Sequence, residues 1–366
     1  MKKVMIAITG LGPGGAERLV YETATRLDRS RFAPEVVSLD AAQGAMGQML
    51  REAGVPVTGL DRHRRDLLGC ARALRRLIRE HQPDLLHTHL FHANLAGRLA
   101  ARKHSALPVL SHVHIVERRF RPWQYWLDAR TARYCVAELC VSPSVRGHQA
   151  LRTGLAEDFF QVVPNGIDLT RFTQQADLQD PLVVGVGHLR SAQKGFDVLL
   201  DAWATVVKHQ PGARLVLAGE GPEQRRFERR LRRLPDNGRS VDLAGLVTDV
   251  PKLLARAAVF CMPSRWEGSP LACMEAMAAG LPVVGSAIGP IEELVNDGVE
   301  GVLVPVGDSV RLAEALLGLL GDPERRRNLG CHARRRAHEQ FDVNRMVRRL
   351  EELYDWAIEG RGKRAS

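Results

Sequence analysis

The sequence predicts an α/β protein made of two doubly wound, parallel-sheet domains in tandem. Short apolar runs recur with helical stretches between them, the rhythm of parallel β/α units. That pattern restarts near residue 181, after the polar link "LTRFTQQADLQDP" (169–181). A chain of 366 residues is also too long for one ordinary core.

The first set of strands is expected at Val4–Thr9, Ala33–Leu39, Leu85–Thr88, Val109–His114, Glu138–Val141 and Gln161–Val163. The second set is "PLVVGVG" (181–187), "ARLVLAG" (213–219), "SVDLAG" (240–245), "AVFCMPS" (258–264), "LPVVGS" (281–286) and "GVLVP" (301–305), with helices such as Phe196–His209 and Val250–Ala257 between them. Domains are therefore expected over 1–172 and 173–342. Open α/β sheets bind ligands at the carboxyl ends of their strands, so two of them are expected to face an interdomain cleft that holds the site.

Composition is that of a globular chain without membrane spans. No apolar run approaches the ~20 residues a span needs, and Lys2-Lys3 leads straight into a strand, which points to a cytoplasmic protein. Six cysteines (Cys70, Cys135, Cys140, Cys261, Cys273, Cys331) form no C-x-x-C pair and read as reduced packing residues. Residues 1–175 carry 25 Lys and Arg against 16 Asp and Glu, whereas residues 176–366 carry 27 against 26. A basic first half beside a neutral second half suits an anionic partner. The chain shows no recognisable nucleic-acid recognition module, and its basic residues are spread over several helices.

The opening "TGLGPGGAER" (9–18) satisfies G-x-G-x-x-G through Gly10, Gly12 and Gly15, between a strand and a helix, with Asp40 at the end of the next strand. Its physical content is phosphate binding: glycines admit a close backbone approach and the helix start offers free N–H groups. In "PSRWEGSPLACMEAMAAGLPVV" (263–284), Glu267 and Glu275 are separated by seven residues. The first would stand at the mouth of the cleft beside the helix-start amides of Ser269, Leu271 and Ala272; the second lies about two turns along a helix. An ionised carboxylate, acceptor-only, is suited to gripping the hydroxyls of a sugar or ribose.

With these residues the sequence strongly resembles the retaining glycosyltransferases of family 4, which have the GT-B fold of two Rossmann-like domains. The resemblance runs through "GPGGAER" (12–18), "PDLLHTHLFHANLAGRLAA" (83–101), "VLSHVH" (109–114), "VPNGID" (163–168), "GHLRSAQKGFDVLLDAW" (187–203), "AGEGPE" (218–223), the E-x7-E segment and "VNDGVEGVLVPVGD" (295–308). It implies a first domain that binds acceptor, a second that binds nucleotide-sugar, and a final helix (343–358) crossing back to the first. It further implies that Glu275 binds the nucleotide ribose, and that Glu267 with Gly268, Ser269, Pro270 and Leu271 holds donor-sugar hydroxyls and the diphosphate. Lys194 would neutralise the diphosphate as the sugar departs. The family usually writes G-R-L where this chain has Gly187-His188-Leu189. Either Arg190 or a protonated His188 is then the second cation, with Arg190 favoured because it is always charged.

His114 ends the strand "PVLSHVH" where the family carries a histidine facing the donor sugar, and Gly14 and Gly15 would pass close to the diphosphate from the opposite wall. Glu17 would face the cleft or cap its helix. Asp40 is then a strand-end or turn residue, and nothing in the second half supports hydride transfer. His112 and His114, with His87, His89 and His92, could be read as metal ligands. They have no carboxylate or cysteine at a fixed metal spacing, and the resemblance implies a metal-independent enzyme, so neither metal nor other cofactor is expected. No motif plainly supplies a nucleophile beneath the anomeric carbon; the resemblance favours front-face transfer over double displacement.

UDP is the expected nucleotide, on resemblance, with GDP open. For the acceptor side, "HRRDLLGCARALRRLIRE" (63–80) reads as an outer helix with an apolar stripe. In "ERRFRPWQYWLDAR" (117–130), Arg118, Arg119 and Arg121 stand beside Trp123, Tyr125 and Trp126, a mixture suited either to an anionic membrane surface or to a loop with its aromatics folded inward. The expected acceptor is thus a lipid-linked or polysaccharide-precursor saccharide, in lipopolysaccharide or exopolysaccharide assembly, met peripherally at the inner face of the cytoplasmic membrane. Two alternatives stand beside this: a non-hydrolysing UDP-sugar epimerase, which the E-x7-E segment disfavours, and a catalytically silent nucleotide-sugar-binding protein. "EGRGKRAS" (359–366) reads as a frayed tail.

Overall fold

The computed structural model describes residues 1–42, 44–104 and 106–360; of the tail expected over 359–366, Glu359 ends the last helix and 361–366 lie outside the described residues. The chain divides into two compact units, residues 1–166 together with the segment from Val343 on, and residues 167–342. Each holds one parallel sheet.

The first sheet has seven strands: β1 (Lys2–Ile8), β2 (Phe32–Ser38), β3 (Val57–Gly59), β4 (Leu85–His89), β5 (Val109–Val113), β6 (Ala137–Cys140) and β7 (Phe160–Val162), in the order β3-β2-β1-β4-β5-β6-β7. Val4 to Ile8 are all fully buried, as expected for a strand covered on both faces by crossover helices. The short edge strand β3 escapes the sequence reading because its three residues are only half-buried and carry no apolar alternation. Pro34 sits in β2 beyond the stretch that β3 pairs with, so its missing N–H costs no ladder bond.

The expected outer helix is observed as Leu67–His81, capped by Asp66, whose carboxylate accepts from the Gly69 amide. Cys70, Ala71, Leu74 and Ile78 are buried along it while Arg72, Arg76 and Arg79 are exposed. The helix Val343–Glu359 closes this unit. Its Asp355 and Glu351 hold Lys2 (2.6 Å) and Arg31, and its Tyr354 is wholly buried against Phe32.

On the opposite face of this sheet Arg98, fully buried, is ion-paired to Asp128 (2.6 Å) and Glu138 (2.5 Å). Burial, reinforced by Asp128, pushes the Glu138 carboxyl up to about 7 in spite of Arg98. Two carboxylates around one guanidinium leave an excess negative charge, which a retained proton relieves.

The second sheet has six strands: β8 (Leu182–Val186), β9 (Arg214–Ala218), β10 (Val241–Gly245), β11 (Val259–Met262), β12 (Val283–Ser286) and β13 (Gly301–Val304), in the order β10-β9-β8-β11-β12-β13. Two apolar clusters cover its faces. One centres on Trp203 and Phe196 of the helix Phe196–His209, the other on Met274 and Met277 of the helix Leu271–Ala278. Within the polar link, Phe172, Ala176 and Leu178 are buried in the second cluster, and the Ala176 amide donates to the Ala279 carbonyl. Five of the six cysteines are buried as expected; Cys331 departs from that reading, being exposed on the helix Pro323–Gln340.

Candidate functional site

In the second unit the chain leaves β8 toward β9 on one side and returns to β11 on the other, so β8 and β11 flank the topological switch point where open sheets bind ligands. The loops leaving these two strands are locked together. Gly195 has φ +64°, and a β-carbon there would overlap the carbonyl oxygen of Pro263. Only glycine permits both that conformation and that approach. The Arg265 amide donates to the Gln193 carbonyl (2.7 Å), and the Arg265 guanidinium forms two parallel bonds of 2.9 Å to Asp197.

This lock brings Lys194 to Glu267. The Lys194 Nζ lies 2.7 Å from Glu267 Oε1, and the Ser264 hydroxyl donates to the same oxygen at 2.7 Å. Glu267 is 5 % exposed, so the pair is well sheltered from water. Gly187, beneath the Lys194 stem, leaves room for it. Buried Gly268, Ser269 and Pro270 lead into the helix Leu271–Ala278, whose first-turn N–H groups precede its own hydrogen-bond ladder and give a positive end suited to phosphate. Glu275 follows, half-buried, on that helix.

His188 and Arg190 do not join the pair. Both are exposed on either side of buried Leu189, and among the described residues neither makes an ion pair. The His188 ring stands 3.4 Å from the Glu220 carbonyl, too long for a strong bond. Ser264, Arg265 and Asp197 were not expected from the sequence. Ser264 and Arg265 adjoin the glutamate motif, but their partners are fixed only by the strand order.

In the first unit the switch point lies between β1 and β4. The glycine loop follows β1, and Gly14, in extended conformation, caps the helix Gly15–Arg26. The Glu17 carboxylate folds back to the place where a Gly14 β-carbon would stand, and burial raises its pKa. His114, half-buried just beyond β5, lies 3.0 Å from His89 through ring nitrogens, and burial pushes its pKa down to about 3, so it is neutral. His87, His89 and His112 lie on the same sheet face, whereas His92 is on the following helix Phe91–Ala101 with its ring against Phe91.

Of the arginines expected on the acceptor side, Arg118 is exposed and Arg119 is clamped by Glu117 at 2.8 Å. Tyr125 takes the inward alternative: it is 3 % exposed, its hydroxyl donating to the Glu117 carbonyl, because the helix Pro122–Ala132 turns that face inward. Trp123 and Trp126 do face outward, 56 % and 63 % exposed. No helix of the described residues is long and apolar enough to cross a membrane.

Residues 13–171 match the family model described as Glycosyltransferase Family 4, and residues 180–322 the model described as Glycosyl transferases group 1. The N-acetyl-alpha-D-glucosaminyl L-malate synthase of Bacillus anthracis is 31 % identical over 189 residues, 51 % of this chain and about half (49 %) of that relative's length. The UDP-Gal:alpha-D-GlcNAc-diphosphoundecaprenol alpha-1,3-galactosyltransferase of Escherichia coli is 24 % identical over 77 % of this chain and 78 % of its own. Among solved structures, the HepE protein of Anabaena in complex with UDP and glucose superposes with a TM-score of 0.85 at 22 % identity, covering 96 % of this chain and 99 % of that one.

Proposed function

The chain belongs to the group 1, family 4 glycosyltransferases with the GT-B fold, and we infer that it transfers a hexosyl group with retention from a nucleotide-sugar, UDP-linked in preference to GDP-linked, to a lipid-linked saccharide. The Lys194–Glu267 pair at the switch point of the second unit carries this reading. Negative charge grows on the departing diphosphate as the glycosidic bond breaks. A lysine held in place, together with the start of the helix Leu271–Ala278, opposes that charge without reorganising.

Glu267, fixed by Lys194 and Ser264, is oriented to accept hydrogen bonds from sugar hydroxyls, and Glu275 from the ribose. Arg190, exposed and without an ion pair among the described residues, is free to turn onto the diphosphate as the second cation. In the first unit, the helix start at Gly14 and Gly15 would serve the diphosphate, the neutral His114 the donor sugar and Glu17 the acceptor side.

The transfer is a front-face step. The bond from the anomeric carbon to phosphate oxygen breaks, the bond to the acceptor oxygen forms on the same face, and the acceptor's proton passes to the leaving phosphate oxygen. The protein orients and stabilises charge, and the cationic groups make a metal at the diphosphate unnecessary. A lipid-linked acceptor in surface-polysaccharide assembly is supported by the basic first half, by exposed Trp123 and Trp126, and by the Escherichia coli relative, whose name specifies a diphosphoundecaprenol-linked acceptor. The chain would then work peripherally at the inner membrane face.

The test is incubation with a panel of UDP- and GDP-hexoses, read by thermal shift and by slow donor hydrolysis. A UDP-hexose is expected to raise the Tm and to be hydrolysed with retained anomeric configuration. No shift and no hydrolysis with any donor would end the reading.

A further inference from the structure

Beneath the helix Val343–Glu359 the centre of the first sheet carries imidazoles where aliphatic side chains usually sit. In "LLHTH" the strand period of two sets His87 and His89 on one face, and the parallel register places His89 beside His112 of β5. The rings of His87 and His89 are 4.1 Å apart, those of His89 and His112 5.2 Å, and those of His87 and His112 5.4 Å. Their exposures are 0 %, 1 % and 2 %.

Two hydrogen bonds orient the cluster. His87 Nδ1 meets the Tyr354 hydroxyl at 2.7 Å, and His89 Nδ1 meets His114 Nε2 at 3.0 Å. Both engage Nδ1 and leave Nε2 of each ring without a hydrogen-bond partner among the described residues. The Nε2 atoms of His87 and His89, and both ring nitrogens of His112, are buried without a hydrogen-bond partner among the described residues. Leaving a buried polar group unsatisfied is destabilising, so several together on one face call for a shared partner.

One ring nitrogen from each of His87, His89 and His112 lies within 4.8 Å of the others. A tetrahedral ion with bonds of about 2.0–2.1 Å needs donors about 3.4 Å apart, so the three nitrogens draw closer when an ion binds. Three neutral imidazoles suit Zn²⁺ and similar borderline transition metals and not Mg²⁺ or Ca²⁺, which prefer oxygen.

We propose that His87, His89 and His112 form a binding site for a divalent transition metal of the Zn²⁺ type, with Tyr354 and His114 as the outer partners that fix the ring orientations. The ion ties β4 to β5 under the final helix and touches none of the reacting atoms. The site stands on the geometry of the first unit alone, so it neither needs nor supports the donor chemistry proposed above.

The test uses the full chain without a histidine tag, stripped with chelator and titrated with Co²⁺. One ion per chain, with the intense visible bands of cobalt held by the three histidines and one water, displaced by one equivalent of Zn²⁺, is expected. The bands should vanish in His112→Asn and in His87→Asn. Tyr354→Phe, which keeps the packing, should weaken affinity about 10- to 100-fold. A wild-type chain giving only the weak spectrum of surface-bound cobalt overturns the site even if the histidine variants fail to fold, as does a full spectrum persisting in a folded His112→Asn. Unchanged affinity in Tyr354→Phe overturns the outer-partner assignment.

Discussion

Gly195 and Pro263 touch so closely that no β-carbon fits between them, and this contact fixes the loop after β8 against the loop after β11. Gly195→Ala must open it, and the residue must also hold a left-handed φ. The expected cost is about 1–3 kcal/mol of stability, seen as a lower Tm, together with a fall in transfer rate larger than that of Gly212→Ala, where the added carbon meets open space. Equal rates for the two variants would show that the contact does not position Lys194.

Lys194→Ala and Glu267→Ala are each expected to reduce transfer about 100- to 1,000-fold with the far-UV circular dichroism unchanged. The two losses should not add, because each residue holds the other at 2.7 Å. Near-normal rates in both would remove the assignment.

Arg190 and His188 offer a direct comparison, since both are exposed and only one is permanently charged. Arg190→Ala is expected to lower kcat about tenfold or more, while His188→Ala changes it little. Steady-state kinetics with saturating donor decide between them; the reverse ranking would make His188 the second cation.

The Arg98 cluster predicts a pH effect on stability. Glu138 has a folded pKa of about 7 against an ordinary value of 4.5, so the folded chain holds a proton that the unfolded chain releases. Its contribution is fully present below pH 4.5 and declines as pH rises toward 7. Glu138→Gln should flatten that decline in urea unfolding measured from pH 5 to 8. Arg98→Met strands two buried carboxylates and should cost about 3–5 kcal/mol.

Trp123 and Trp126 are expected to anchor the first unit on anionic vesicles. Flotation at low salt should carry the wild-type chain and lose most of it in the double Trp123→Ala, Trp126→Ala variant. No flotation of the wild type would dismiss membrane docking.

Much of this was written in local pattern. The helix Phe196–His209 is observed at the bounds its apolar spacing predicts, and twelve of the strands announce themselves as apolar runs; β3 does not, because three half-buried residues carry no period. Lys194 and Glu267 could be named from motif, but their contact could not, since it depends on β8 and β11 being neighbours. The same holds for Arg265 and Asp197, and for His112 beside His89, where the alternation along one strand is legible and the register between two is not. The sequence leaves Tyr125 undecided between surface and interior, because a mixed Arg and aromatic segment does not reveal which helix face turns inward.

The return of the chain to its first sheet has a consequence for biosynthesis. Lys2, Arg31 and Phe32 leave the ribosome early, yet Asp355, Glu351 and Tyr354, which complete their surroundings, emerge only after the whole second unit. Until then His87 lacks its Tyr354 partner, so the unit that is begun first is completed last.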